Sequence, residues 1–392
     1  MAAALQAAWK EADVTLFEHN AEVGRKLLVT GSGRCNITNA AATAEKYTCA
    51  DSAWMAALLN QFGVKNLVDM LLEIGIPVRA TFDGWYYPLS ESAHTVVAAF
   101  SSALATSGVK LNLSTQVVSV ATDGDRFMVG FSRDNNKNYS EFDRLIVSAG
   151  GKAYPTLGSR GELFPVLETL GHSVHPKRPA LAPVLADLGR LKSLQGVRLD
   201  AGVTLWEGAR QLASAQGNLI FTQWGLNGPA VMDISHHVSA CPNANLELSL
   251  NVLAFFQDEF DSLLAQHRTA SLPVRVLLGA FLPPKATALY LKNARLNGDA
   301  PLGEVEDGAL QELINQLNDT RVAVKGVRGF EFCQVSAGGV PVGEVDALTL
   351  ESRLVKGLYL TGETLDVVGP CGGYNLQYAF SSGALAGRAA AG

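Results

Sequence analysis

Apolar positions follow three different patterns along this chain, and each pattern marks a different kind of element. Between Trp54 and Ile74, Leu58, Leu59, Phe62, Leu67 and Leu71 share one face of a 3.6-residue repeat, which predicts a helix. Thr95–Thr106 reads the same way, and residues 2–10 read as a helix of small side chains. Val14–Glu18, Arg144–Ala149 and Gly357–Thr361 are instead short, nearly continuous apolar runs, the mark of strands buried on both faces of a parallel sheet. Short strands are expected at Lys110–Leu113 and Gln116–Ala121, with a hairpin turn at Asp123-Gly124-Asp125 and a return along Arg126–Ser132.

From about Pro176 the pattern changes to alternation. Gly202–Trp206 and Leu246–Leu250 exemplify it, and they predict an antiparallel sheet across residues 180–252. Residues 255–320 read as helical, with Leu263, Leu264, Leu277, Leu278, Leu310, Leu313 and Leu317 as core positions. From Glu331 the chain is again apolar and glycine-rich, and a helix is expected over roughly Asn375–Ala391. The expected fold class is therefore α/β. Its parts are 1–181, a β-rich insert at 182–254, a helical subdomain at 255–330, and 331–392 returning to the first part.

Composition narrows the function classes. Hydrophobic residues make up 48% and charged residues 17%, against about 25% charged in an average soluble protein, so the chain is not disordered. The 31 basic and 37 acidic residues leave a net charge of −6, and no basic run exceeds two residues. Nucleic-acid binding, which needs a clustered basic patch, is disfavoured. No stretch approaches 18 apolar residues, so no membrane span is expected. The five cysteines never form CxxC, which argues against a disulfide scaffold or zinc ribbon and for a reducing cytoplasm.

The candidate chemistry lies in glycine turns that follow strands. Glu18 ends a strand, where an acid can accept hydrogen bonds from ribose hydroxyls or simply sit in an exposed turn. Gly31, Ser32, Gly33, Arg34, Cys35 and Asn36 form a loop that is either an ordinary turn or a set of amides facing phosphate or a flavin edge. Ala149-Gly150-Gly151 and Gly362-Glu363 each follow a buried strand, at the sheet edge where open α/β folds bind ligands. Gly372-Gly373 precedes Tyr374-Asn375-Leu376 at the start of the last helix. Backbone can approach a flat ligand there, and the helix end would stabilise the negative charge a flavin gains on reduction. We expect Glu18, Gly150, Gly362 and Gly373 to converge on one groove.

Other residues are less specific. His172 and His175 are too few for a metal site, and Cys371 is either a packing residue or a thiol near a flavin. Trp85, Tyr86 and Tyr87 are either a ring-stacking surface or a half-buried cluster. No hydrolase-type nucleophile signature is present, as suits chemistry performed by a cofactor.

These motifs carry a family resemblance. Glu18-His19-Asn20, Gly24-Arg25-Lys26-Leu27-Leu28 and Gly31-x-Gly33-Arg34-Cys35-Asn36-x-Thr38-Asn39 resemble the signature of the HI0933-like flavoproteins, also described as BaiN-like or aminoacetone oxidase family enzymes. So do Asp83–Pro88, Gly217–Pro229, Ser336–Val340 and Gly362–Gln377. The resemblance implies a Rossmann-type, FAD-binding flavoprotein of the two-dinucleotide-binding kind, interrupted by the insert and the helical subdomain. Glu18 would hold the adenosine ribose, with Arg25 and Lys26 along the adenosine end and the Val117 backbone at adenine. Gly31–Asn36, Gly362-Glu363, Asp366 and Gly373–Leu376 would surround the pyrophosphate and flavin.

The implied activity is that of an FAD-dependent oxidoreductase acting on a small organic substrate, with NADH or NADPH as electron donor. The alternative is a flavin-binding module without turnover, or a tRNA-associated flavoprotein of related fold. The glycine fingerprint that the resemblance places before the first helix lies outside these residues. We therefore expect an internal start, an open slot between the strands ending at Glu18 and Ala149, and weak FAD retention.

Overall fold

The computed structural model describes every residue except Asn135. The chain forms two compact units, Met1–Arg178 with Gln334–Gly392, and Pro179–Cys333.

The first unit is built on two parallel strand pairs. Thr15–Phe17 pairs with Lys110–Asn112, and Leu145–Val147 pairs with Leu358–Leu360. Among the described residues no ladder joins one pair to the other. The core around them holds Leu5, Phe100, Leu104, Val147, Leu358, Leu360 and Tyr378. The last helix, Tyr374–Ala390, crosses the first, Ala2–Ala8, where both carry small residues. A Cβ on Gly387 would lie 2.2 Å from the Ala3 carbonyl oxygen, so only glycine permits this crossing. Arg388 Nε donates to Gln6 Oε1 at 2.7 Å and fixes its register.

Two local expectations change. The helix expected from Trp54 to Ile74 is two helices, Ser52–Gln61 and Val64–Glu73. The chain leaves the helical conformation at Phe62 and Gly63, and the Gly63 amide is held by Asn66 Oδ1 at 3.0 Å. The apolar period runs through the break because both helices face one core, which hides the break from periodicity. The expected hairpin is present as Gln116–Asp123 and Arg126–Arg133, but Asn136–Phe142 adds a third strand. That strand is polar along most of its length, as an exposed edge strand can be.

The second unit is a closed antiparallel barrel with a helical layer. Its strands, in order around the barrel, are Val184–Asp187, Gly225–Asn227, Arg210–Phe221, Arg198–Glu207, Leu246–Asn251 and Thr320–Val327. Leu199, Ala201, Val203 and Leu205 alternate inward along one of them, as strand pleating requires. Thr320–Val327 falls within the expected helical subdomain at 255–330, yet it pairs with both Leu246–Asn251 and Val184–Asp187 and closes the barrel. The helices Gln257–His267, Val274–Gly279, Pro284–Asn293 and Asp307–Asn318 share one apolar core with the barrel. The β-rich and helical stretches are thus one packed body.

Gly387→Ala is expected to cost about 1–3 kcal/mol by forcing the two crossing helices apart. Gly308→Ala, in a helix where an added Cβ meets nothing within 4 Å, is expected to be neutral or slightly stabilising. Urea unfolding of the two variants checks the contrast.

Candidate functional site

Glu18 sits just beyond its strand, and its position is set from both sides. Its amide donates to the Asn112 carbonyl at 2.9 Å, and its carbonyl accepts the Thr115 amide at 2.9 Å. The carboxylate accepts from the Asn20 amide and from Asn20 Nδ2, both at 2.8 Å, and Arg25 Nη1 donates to Asn20 Oδ1 at 2.8 Å. Asn20 Nδ2 also reaches the Leu157 carbonyl at 3.3 Å, which ties this corner to the segment after Gly150-Gly151. Val117 lies two residues beyond Thr115, at the same end of the unit. Asn20 therefore links Glu18, Arg25 and the post-Gly151 loop.

The second feature is a carboxylate hub. Glu363 Oε2 forms an ion pair with Lys26 Nζ at 2.5 Å. Glu363 Oε1 accepts from the Ser336 amide at 2.7 Å and from Ser336 Oγ at 2.8 Å. Ser336 Oγ in turn accepts the Lys152 amide at 2.9 Å. Gly151 lies directly against this network, since a Cβ there would stand 2.1 Å from Ser336 Oγ and 2.6 Å from Glu363 Oε1. One carboxylate thus gathers Lys26, Gly151 and Gly362-Glu363, which are far apart in sequence. Ser148 Oγ and Thr361 Oγ1, 2.7 Å apart, repeat the link one residue outside the strands. Gly150 is left-handed at φ +75° beside Ser159 Oγ, and Ser159 Oγ donates to the Gly151 carbonyl at 3.2 Å.

The Gly31–Asn36 loop is a tight, left-handed turn. Gly31 and Ser32 have φ of 55° and 57°, and Cys35 has φ of 61°. Arg34 is exposed and stacks over the Tyr87 ring at 4.8 Å. Cys35 is fully buried, and burial pushes its thiol up to about 11, against a smaller opposing hydrogen bond with Thr30. Asn36 Oδ1 is buried without a hydrogen-bond partner among the described residues.

Gly373 begins the last helix with φ +95°, pressed so closely on Thr38 that a Cβ would stand 2.6 Å from its carbonyl carbon and oxygen. Gly372 faces the Trp85 indole, and Asn39 Nδ2 donates to its carbonyl at 3.1 Å. Thr38-Asn39 pairs with Trp85-Tyr86, so the aromatic strand lies beside this turn. A buried chain fixes the helix: Thr38 Oγ1 donates to Gln377 Oε1 at 2.5 Å, Gln377 Nε2 to Ser381 Oγ at 2.9 Å, and Ser381 Oγ to the Phe62 carbonyl at 2.7 Å. Asn375 closes the loop ahead of the helix by accepting the Gly369 amide at 2.8 Å and donating to its carbonyl at 2.7 Å. Tyr374 is buried and its carbonyl accepts the Tyr47 hydroxyl at 2.9 Å, while Leu376 packs against the core. First-turn amides of such a helix have no acceptor four residues back.

Not every candidate joins this constellation. Asp366 turns to Gly338, whose amide donates to Oδ1 at 2.7 Å, and to His175 Nδ1, 2.8 Å from Oδ2. His172 bonds a different carboxylate, Glu344, at 2.7 Å, so the two histidines do not act as a pair. The linking residues Asn20, Thr38, Ser336, Gln377 and Ser382, whose Oγ accepts the Gly362 amide at 2.9 Å, were not singled out from sequence as site residues. Small polar side chains at these positions look like ordinary turn and helix residues, and only the fold shows what they join.

A strand-end acid, glycine turns that follow buried strands and a helix opening on Gly373 make up the candidate site of a Rossmann-type unit. Across residues 1–389 the chain matches the HI0933-like protein Rossmann domain. It belongs to this family of FAD-dependent oxidoreductases, which bears out the expected fold class and family. It is 33% identical over 396 residues to the 3-dehydro-bile acid delta(4,6)-reductase of Clostridium scindens, covering 99% of this chain and 96% of that one. It is 29% identical to the ribosomal RNA dihydrouridine synthase of Escherichia coli, covering 94% of this chain and 90% of that one. The 3-ketosteroid delta1-dehydrogenase of Sterolibacterium denitrificans shares the fold, with a TM-score of 0.54 at 12% identity over 100% of this chain and 97% of that one. So does the 3-ketosteroid-delta4-(5alpha)-dehydrogenase of Rhodococcus jostii RHA1, with a TM-score of 0.52 at 15% identity over 100% and 94%. No helix among the described residues is long and apolar enough to cross a membrane.

Cys35 gives a direct check on the burial of the loop. Native protein near neutral pH is expected to leave Cys35 unlabelled by a thiol reagent, with labelling appearing only on unfolding. Its raised thiol pKa also favours the native state up to the unfolded value of about 9, and that contribution is lost as pH rises toward about 11. Cys35→Ala should remove this part of the alkaline loss in a melting series. Rapid native labelling of Cys35 would contradict the buried turn.

Proposed function

We propose that the chain is an FAD-dependent reductase of a carbon–carbon double bond conjugated to a carbonyl, in a small organic substrate, with NADH or NADPH as electron donor. The observation that carries the flavin part is the gathering of Lys26, Gly151 and Gly362 around Glu363. The reaction class rests on the relatives. A delta(4,6)-reductase of a 3-dehydro-bile acid and a dihydrouridine synthase both, by name, saturate a double bond conjugated to a carbonyl.

The residues present fit FAD. An added Cβ at Gly33 would meet only the Leu28 oxygen, at 3.9 Å, and at Gly362 only Ala379, with nothing closer than 3.7 Å, so backbone can approach a ligand at both. The buried, unpartnered Asn36 Oδ1 calls for a donor. In this reading Glu18, ordered by Asn20, accepts from the adenosine ribose. Arg25 lines the adenosine end with the Val117 backbone, and Lys26, expected there too, stands with its partner Glu363 beside the pyrophosphate. Gly31–Asn36, Ala149–Gly151, Gly362-Glu363 and Gly372–Leu376 surround the pyrophosphate and ring. When bound, the flavin supplies two-electron hydride transfer. The Tyr374–Ala390 helix directs its positive end to the site and favours added negative charge there.

The first unit serves in this reading as the FAD-binding domain and the second as an insert. The cysteine pattern, with no CxxC pair in the sequence, supports a reducing cytoplasm in this reading. The net charge of −6 supports a small-molecule substrate over RNA, although relatives named for ribosomal RNA make RNA the second reading.

Anaerobic mixing of flavin-loaded protein with NADH or NADPH should bleach its yellow absorption. Addition of a steroid carrying a 3-oxo-4-ene should then restore it. No bleaching by either donor would favour a binding module. Colour restored only by a uridine-containing RNA would replace the small molecule by RNA.

A further inference from the structure

In the second unit, no ion pair or side-chain hydrogen bond among the described residues engages the guanidinium of Arg328. Arg328 follows the barrel strand Thr320–Val327, and its amide donates to the Pro183 carbonyl at 2.9 Å. Trp224 lies on the other side of the same neighbouring strand. Gly225 pairs with Leu185 while Val327 pairs with Val184, so the barrel backbone sets both residues. Gly225 cannot be another residue here, since its Cβ would stand 2.2 Å from the Val184 carbonyl oxygen. The turn from Gly329 then brings Phe332 back, its amide donating to the Gly329 carbonyl at 2.9 Å.

The outcome is a guanidinium lying over two rings. Its carbon is 3.2 Å from the Phe332 ring centroid and 4.9 Å from that of Trp224. Stacking occupies the faces of a guanidinium and leaves its in-plane N–H groups free. No salt bridge or side-chain hydrogen bond uses those groups among the described residues. Phe332 is exposed and Trp224 half-buried, so apolar ring surface borders the charged fork.

We propose that Arg328, Trp224 and Phe332 form a binding site for the carboxylate of an apolar or aromatic acid. A planar fork matches two carboxylate oxygens, and the rings offer contact to an apolar body. Phosphate fits less well, because it has no apolar body to lie against the rings beside the fork. This site lies wholly in the second unit and does not depend on the reaction proposed above.

The test titrates full-length protein with 3-phenylpropionate, its primary amide and inorganic phosphate, followed by calorimetry and tryptophan fluorescence. The acid should bind saturably and the amide about tenfold or more weakly. Arg328→Met should weaken the acid about tenfold to hundredfold, and Arg328→Lys should fall between, because it keeps charge but loses the fork. Trp224→Phe should keep most of the calorimetric signal and lose the fluorescence change, which reports the site even if an Arg328 variant folds poorly. Equal binding of acid and amide, phosphate binding tighter than the acid, or no saturable binding at millimolar concentration would each overturn the proposal.

Discussion

The first unit depends on one carboxylate. Glu363 meets Lys26 on one oxygen and Ser336 on the other, and Gly151 fits against this network only because it lacks a side chain. Three segments, each more than a hundred residues from the next, are held together beside two parallel strand pairs by this arrangement. A half-buried ion pair is a modest source of stability. Its larger effect is positional: with Ser336 hydrogen-bonded on the same carboxylate, the backbone turns at Gly151 and Gly362 have one arrangement that leaves no buried oxygen of Glu363 without a donor.

Similar logic governs the Gly373 turn. Gly373 rests on the Thr38 backbone, and the buried Thr38–Gln377–Ser381–Phe62 chain fixes the helix that opens there. Glycine and buried amide work as a pair. The glycine allows backbone contact, and the hydrogen bonds choose which contact forms. A flat, charged cofactor needs such pre-set backbone, because loops ordered only on binding would subtract their entropy from affinity.

Much of this was legible from residue pattern. The three apolar runs ending at Glu18, Ala149 and Thr361 are all strands, paired in parallel as their lack of alternation predicts. The alternating runs after Pro176 are barrel strands. The helix break at Gly63 and the barrel strand at Thr320–Val327 were not legible, because each is decided by tertiary partners. Within the candidate site, Glu18 and the glycines announce themselves by position after a strand. Asn20, Ser336 and Gln377 do not, since their role is to reach residues distant in sequence. Asp366 sits within the glycine-rich motif but is committed to Gly338 and His175.

The central claim is that the Glu363 network shapes the backbone for FAD. Equilibrium binding of FAD, followed by quenching of its fluorescence, tests it on wild type, Gly151→Ala and Gly343→Ala, with circular dichroism confirming that each is folded. Gly343 has open space around it, whereas a Cβ at Gly151 would collide with Ser336 and Glu363. Saturable wild-type binding, unchanged in Gly343→Ala and weakened about tenfold or more in folded Gly151→Ala, is the predicted result. Equal affinity of Gly151→Ala and wild type would contradict the account.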